Sequence, residues 1–200
     1  MGEYKQFQPL TKDDKITVVL YRAGIILSAV LMSAAAVLMF EPEWYASPGG
    51  GLAANALLIG LYGAAGLSVF FIHLYVSQYH RFLKNIYYAG LAALAALFVL
   101  GKGDPASVIA GTWYGPLFLL PLSGCLGFIT AKEAFCFQLI EGYLFAMLLP
   151  FYLLLLAVGV LSLMAAAWGL LLLAIMLIVF TCRKAFMPIH CDIGDKSAYS

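Results

Sequence analysis

An all-α bundle of about six membrane-spanning helices, with both termini cytoplasmic, is the fold class that this sequence predicts. Three observations carry it. Of 200 residues, 64% are hydrophobic and only 10% are charged, whereas a soluble domain carries about a quarter charged residues. The apolar residues gather in runs of about 20, the length that crosses a hydrocarbon core. The basic residues also segregate. If the chain crosses six times, Lys5, Lys12, Lys15, Arg22, Arg81, Lys84, Lys132, Arg183, Lys184 and Lys196 share one side, and Lys102 alone takes the other. Cationic loops stay cytoplasmic, so that side is read as the inner one.

The elements follow in order, and together they form one integral membrane domain over 1–200. A polar segment, 1–15, precedes the first span at 16–40. Arg22 lies within two turns of its inner end, where it is expected to snorkel to the headgroups. "EPEWYASPGGG" then reads as an outer turn with an interfacial Trp–Tyr pair. The second span is placed at 52–77 and the third, the weakest, at 83–100. The fourth, at 106–130, is interrupted by Pro116 and Pro121. Residues 142–182 hold no Asp, Glu, Lys or Arg. As one helix they would be about 60 Å long, twice a hydrocarbon core, so we divide them into spans at 142–158 and 162–182 around Gly159–Ser162. A tail, 183–200, completes the chain. Small residues recur at helix-packing spacing, as in Gly60/Ala64, Ala89/Ala93 and Gly111/Gly115, which lets backbones approach where lipid supplies no hydrophobic drive.

The polar start does not resemble a secretory signal, and "MGEYKQ" lacks the hydroxyl residue of a myristoylation signal. A net charge of +1 without a basic stripe argues against nucleic acid as a partner. Four cysteines without a CxxC pair argue against a zinc knuckle or a thioredoxin-like motif. Zincin, nucleophile-elbow and Walker signatures are missing, so no catalytic residue is assigned.

Most polar side chains fall at the inner boundary. In "AKEAFCFQLIEG" the candidates are Lys132, Glu133, Cys136 and Glu141. Were the stretch helical, the Lys132 ammonium would stand one turn from the Cys136 thiol and favour its thiolate. Glu133, Phe137 and Glu141 would then share another face. The reading favoured here is plainer: a short connection between spans four and five, its charges hydrated and Phe135 and Phe137 anchored in the interface. His73 and His80, seven residues apart and about 10 Å along a shared helix axis, are candidates for holding a cofactor. A hydrogen bond to a neighbouring helix is preferred for His73, and a headgroup-binding basic patch with Arg81 and Lys84 for His80. In the tail, His190, Cys191, Asp192 and Asp195 are metal-capable. Their mixed hard and soft donors favour instead a tail folded back on the bundle.

Gly124, Gly127, Lys132, Glu133, Cys136, Phe137 and Glu141, together with the tail "PIHCDIGDKS", resemble an uncharacterised family of small multi-pass integral membrane proteins, bacterial and notably cyanobacterial, with plastid relatives. The resemblance implies a setting in a bacterial cytoplasmic or thylakoid membrane, and it implies no reaction, cofactor or catalytic residue. From the residues we expect a non-enzymatic assembly or stabilising factor for a membrane complex. Its partners would be the lipid bilayer and either other membrane-protein subunits or further copies of itself. A small-solute transporter or channel, resting on the proline-broken spans, and a redox or metallocofactor protein, resting on the inner-face His/Cys/Asp residues, are the alternatives.

Overall fold

The structure, a computed structural model, describes residues 9–41, 43, 47–74 and 76–193. The Trp44–Tyr45 pair, Gly194 and Asp195 lie outside the described residues. Six helices among those described are long and apolar enough to cross a membrane. They are α1 (Lys12–Met39), α2 (Pro48–Phe71), α3 (Ser77–Leu100), α5 (Leu120–Phe137), α6 (Ile140–Val158) and α7 (Leu163–Ala185). Two short helices, α4 (Pro105–Gly111) and α8 (His190–Ile193), complete the set, and a 3-10 turn, Gly115–Leu119, leads into α5.

Local chemistry sets the ends. Thr11 caps α1 in a reciprocal capping box with Asp14. Gly159 ends α6 at φ +76, a left-handed conformation that a side chain would oppose, and Ser162 caps α7 three residues later by accepting from Ala165 N at 3.2 Å. At the same end Asp104 caps α4, and Asn55 ties it to α2 by accepting from Ala106 N at 2.9 Å and donating to Asp104 Oδ1 at 2.9 Å.

Helix α1 packs between α2 and α7, and α5 packs against α2, α3 and α6. The α1–α2 approach is close at Gly24, where an added Cβ would lie 2.6 Å from Ala64 O. Ser68 bonds across this contact to Tyr21 O at 3.2 Å, the kind of small-residue, hydroxyl-glued packing that operates in lipid. Large apolar side chains such as Val99, Met147 and Phe151 are exposed outward, as a bilayer-facing surface requires.

Three boundaries differ from the sequence reading. The second connection lies at residues 72–76, so α2 ends at Phe71 and α3 begins at Ser77. His73 therefore sits in a connection and His80 in the first turn of α3, on separate elements. The fourth crossing is broken: α4 ends at Gly111, and the crossing proper runs over Gly115–Phe137. Pro116 and Pro121 lack the N–H that a continuous helix would use, so the segment restarts through a 3-10 turn. Lastly, "KEAFCF" is the C-terminal part of α5 rather than a loop.

The two ends of the bundle are chemically unlike. The end bearing Lys12, Phe137 and Ala185 concentrates buried charge. The other holds a partly open cavity of about 570 Å³ with a largely apolar wall.

Candidate functional site

The buried charge is assembled from four segments. Helix α1 supplies Tyr21 and Arg22, α5 supplies Lys132 and Glu133, α7 supplies Lys184, and α8 supplies Asp192. Glu133 is 0% exposed, and its carboxylate is nevertheless fully engaged. Oε1 accepts from Tyr21 OH at 2.8 Å and from Lys132 Nζ at 2.7 Å, while Oε2 pairs with Lys184. Lys184 bridges onward to Asp192 Oδ1 and lies 4.1 Å from the centroid of the Phe137 ring, whose face attracts a cation. The other oxygen, Asp192 Oδ2, accepts from Arg22 Nε at 2.8 Å and from Arg22 Nη2 at 2.5 Å.

Arg22 thus does not reach for headgroups. Its remaining donors bond the carbonyls of Ala185 at 3.1 Å, Met187 at 2.7 Å and Pro188 at 3.2 Å, which closes the turn after α7 onto α1. One guanidinium holds a carboxylate and three carbonyls, a use to which its planar fork of donors is suited.

The unbroken order runs Tyr21, Glu133, Lys184, Asp192, Arg22, with Lys132 as a branch. Its formal charge is three cations against two anions. Removing ions from water is costly unless each is paired and hydrogen-bonded, and here the pairing is dense. The cost of burying Glu133 is offset by three donors, so the charge that suggested a wet loop is instead satisfied inside the protein.

A second pair lies nearby. Arg183 donates to both oxygens of Glu141 at 2.8 Å, linking α7 to α6. Adjacent residues on a helix point about 100° apart, and the Arg183–Lys184 pair divides accordingly: the side chain of Arg183 is 50% exposed and that of Lys184 is 2%.

The other candidates are dispersed. Lys132 turns to Glu133 rather than toward Cys136, which is exposed. Gln138, at φ 55, breaks the helix between α5 and α6, so Glu133 and Glu141 belong to different helices and do not share one face. His73 Nε2 and Thr17 Oγ1 are hydrogen-bonded at 3.3 Å, while His80 Nε2 meets Val69 O at 3.1 Å. His190, Cys191 and Asp192 share α8, but Asp192 is committed to Arg22 and Lys184. Burial pushes the Cys191 thiol above its ordinary range, and Asp192 adds to the rise while Lys184 and Arg22 oppose it. Among the described residues no group of three or more His, Cys, Asp or Glu is arranged to hold a metal ion.

Sequence reasoning passed over Tyr21 and Lys184 and gave Arg22 the wrong partner. A signal was present: an arginine inside an apolar span calls for an internal partner, and Glu133 and Asp192 were among the acids of the same face.

Chemically, the arrangement fastens. Both oxygens of each carboxylate are occupied by cations or by Tyr21, and the cluster joins α1, α5, α7 and α8 at one end.

A model of the family described as uncharacterized integral membrane protein (DUF2301) matches residues 67–200. The match covers Glu133, Lys184 and Asp192 and begins after Tyr21 and Arg22. No curated protein matches the chain, and no solved structure does.

Proposed function

The chain belongs to the DUF2301 family of uncharacterised integral membrane proteins, and from that starting point we propose that it is a non-enzymatic assembly or stabilising factor for a larger membrane complex. The observation that carries this reading is the mutual engagement of the buried charges. The carboxylates, cations and phenol of the cluster are bonded to one another across four segments, which suits a rigid scaffold better than a reaction site. A surface for partners is available on α3, which packs inward through Leu83, Tyr87, Gly90 and Leu97 and leaves Tyr88, Leu91 and Val99 outward. The partner is another membrane-protein subunit or a second copy of this chain. The setting is a bacterial cytoplasmic or thylakoid membrane, with the charged end of the bundle cytoplasmic.

The test is extraction in mild detergent followed by blue-native electrophoresis, with photocrosslinkers at positions 88, 91 and 99. A larger species crosslinked through α3 is expected. A lone small species without crosslinks overturns the proposal.

One observation favours a transporter as a second reading. The cavity is lined by the broken fourth crossing at one end of the bundle, and the charged cluster lies at the other. Liposomes carrying the purified chain should then move a lipophilic solute, and failure to move any removes this reading.

A further inference from the structure

We infer that the cavity at the uncharged end is a binding site for one acyl chain of a bilayer glycerolipid. Its wall is built by the C-terminal halves of α1 and α6, the N-terminal halves of α2 and α7, and the broken segment from α4 into α5. Met32, Leu58, Ile109, Leu126, Leu153 and Leu170 represent these elements. The cavity exists because the fourth crossing is interrupted. Between Gly111 and Leu120 the chain runs through a turn and a 3-10 segment, which withdraws helix side chains from the interior.

The chemistry of the wall selects the ligand. Three hydroxyl residues line it, and each is turned back onto a main-chain carbonyl: Thr112 onto Val108 O at 2.7 Å, Ser123 onto Leu120 O at 2.8 Å, and Tyr152 onto Ala166 O at 2.9 Å. The hydroxyl protons of these residues are thus spent on the main chain, and the rest of the wall is mostly apolar. Apolar cavities of this kind stay dry and take hydrocarbon.

Size agrees. Ligand sites span roughly 300–1,000 Å³, and at ~30 Å³ per water-sized group a volume of about 570 Å³ holds a hydrocarbon chain of roughly 19 groups. Left empty, so large a void would forfeit dispersion contacts on every wall. Acyl chains surround the site at the concentration of the bilayer itself, and none of the three wall hydroxyls is open to select a ring or a headgroup. Trp113, 70% exposed, stands in the wall as the kind of side chain that sits at headgroup level. The lipid head would therefore remain outside, beside its indole.

The experiment uses the full chain, purified in mild detergent, washed extensively and extracted for quantitative lipid mass spectrometry. One equivalent of glycerolipid per chain is expected to survive washing, and delipidated protein should recover it from added phosphatidylglycerol in preference to an added prenyl quinone. Ala35→Phe and Ala54→Phe each place a ring in the lumen from a different helix, and either should lower retention by roughly tenfold. Val179→Phe, at an exposed position of α7 away from the cavity wall, should leave retention unchanged and so separates bound lipid from the detergent-held annulus. Absence of stoichiometric lipid, preference for the prenyl quinone, or equal retention in a folded filled variant overturns the inference.

Discussion

Glu133 shows how much one side chain can organise. It accepts from Tyr21 and Lys132 and pairs with Lys184, so its removal would leave Lys132 without its anion and Lys184 with Asp192 alone. Breaking a buried pair from one side costs about 3–5 kcal/mol. Glu133→Gln is therefore expected to lower the thermal unfolding midpoint in detergent by that equivalent, while Arg183→Gln, which removes a half-exposed partner, costs about 1 kcal/mol or less. Parallel melts of the two variants check this. Cys191 offers a pH readout. Because burial raises its thiol, its thiolate is scarcer than that of a free cysteine at neutral pH, and alkylation should be slow there and accelerate into the alkaline range. In a variant that keeps Cys191 alone, a labelling rate equal to that of a free thiol at neutral pH would contradict this.

Among the elements, the joint between α5 and α6 is the most informative. Gln138 adopts φ 55, a left-handed conformation that costs a residue with a Cβ roughly 1–2 kcal/mol and glycine little. Gln138→Gly should raise the unfolding midpoint, and a lowered one would mean that the glutamine side chain contributes more than its backbone costs. This joint also marks where sequence reading ended. The apolar runs that define the six helices were legible because length and hydropathy alone decide a crossing. The path from residue 132 to 141 was not, since Lys132 and Glu133 look identical in sequence whether water or Lys184 satisfies them. Arg22 was misread for the same reason, its partner Asp192 being 170 residues distant. The cavity was likewise invisible: Pro116 and Pro121 announce a break, but what packs around a break depends on four other helices.

Considered whole, the molecule is a multi-pass bundle polarised along its axis, charged at the end that carries both described termini and apolar at the other. Reporter fusions at the two ends should therefore give the same compartment, and the cationic bias predicts that it is the cytoplasm. Fusions that disagree would remove the six-crossing topology.

The docking of Asp192 against Arg22 and Lys184 has a consequence for biosynthesis. Helices are delivered to the bilayer in the order in which the ribosome makes them, so Arg22 enters first and its counter-ion is synthesised 170 residues later. Until then Arg22, Lys132 and Lys184 are balanced by Glu133 alone, two cations in excess rather than one. A polypeptide that stops before that aspartate keeps the surplus, with Arg22 lacking its carboxylate partner.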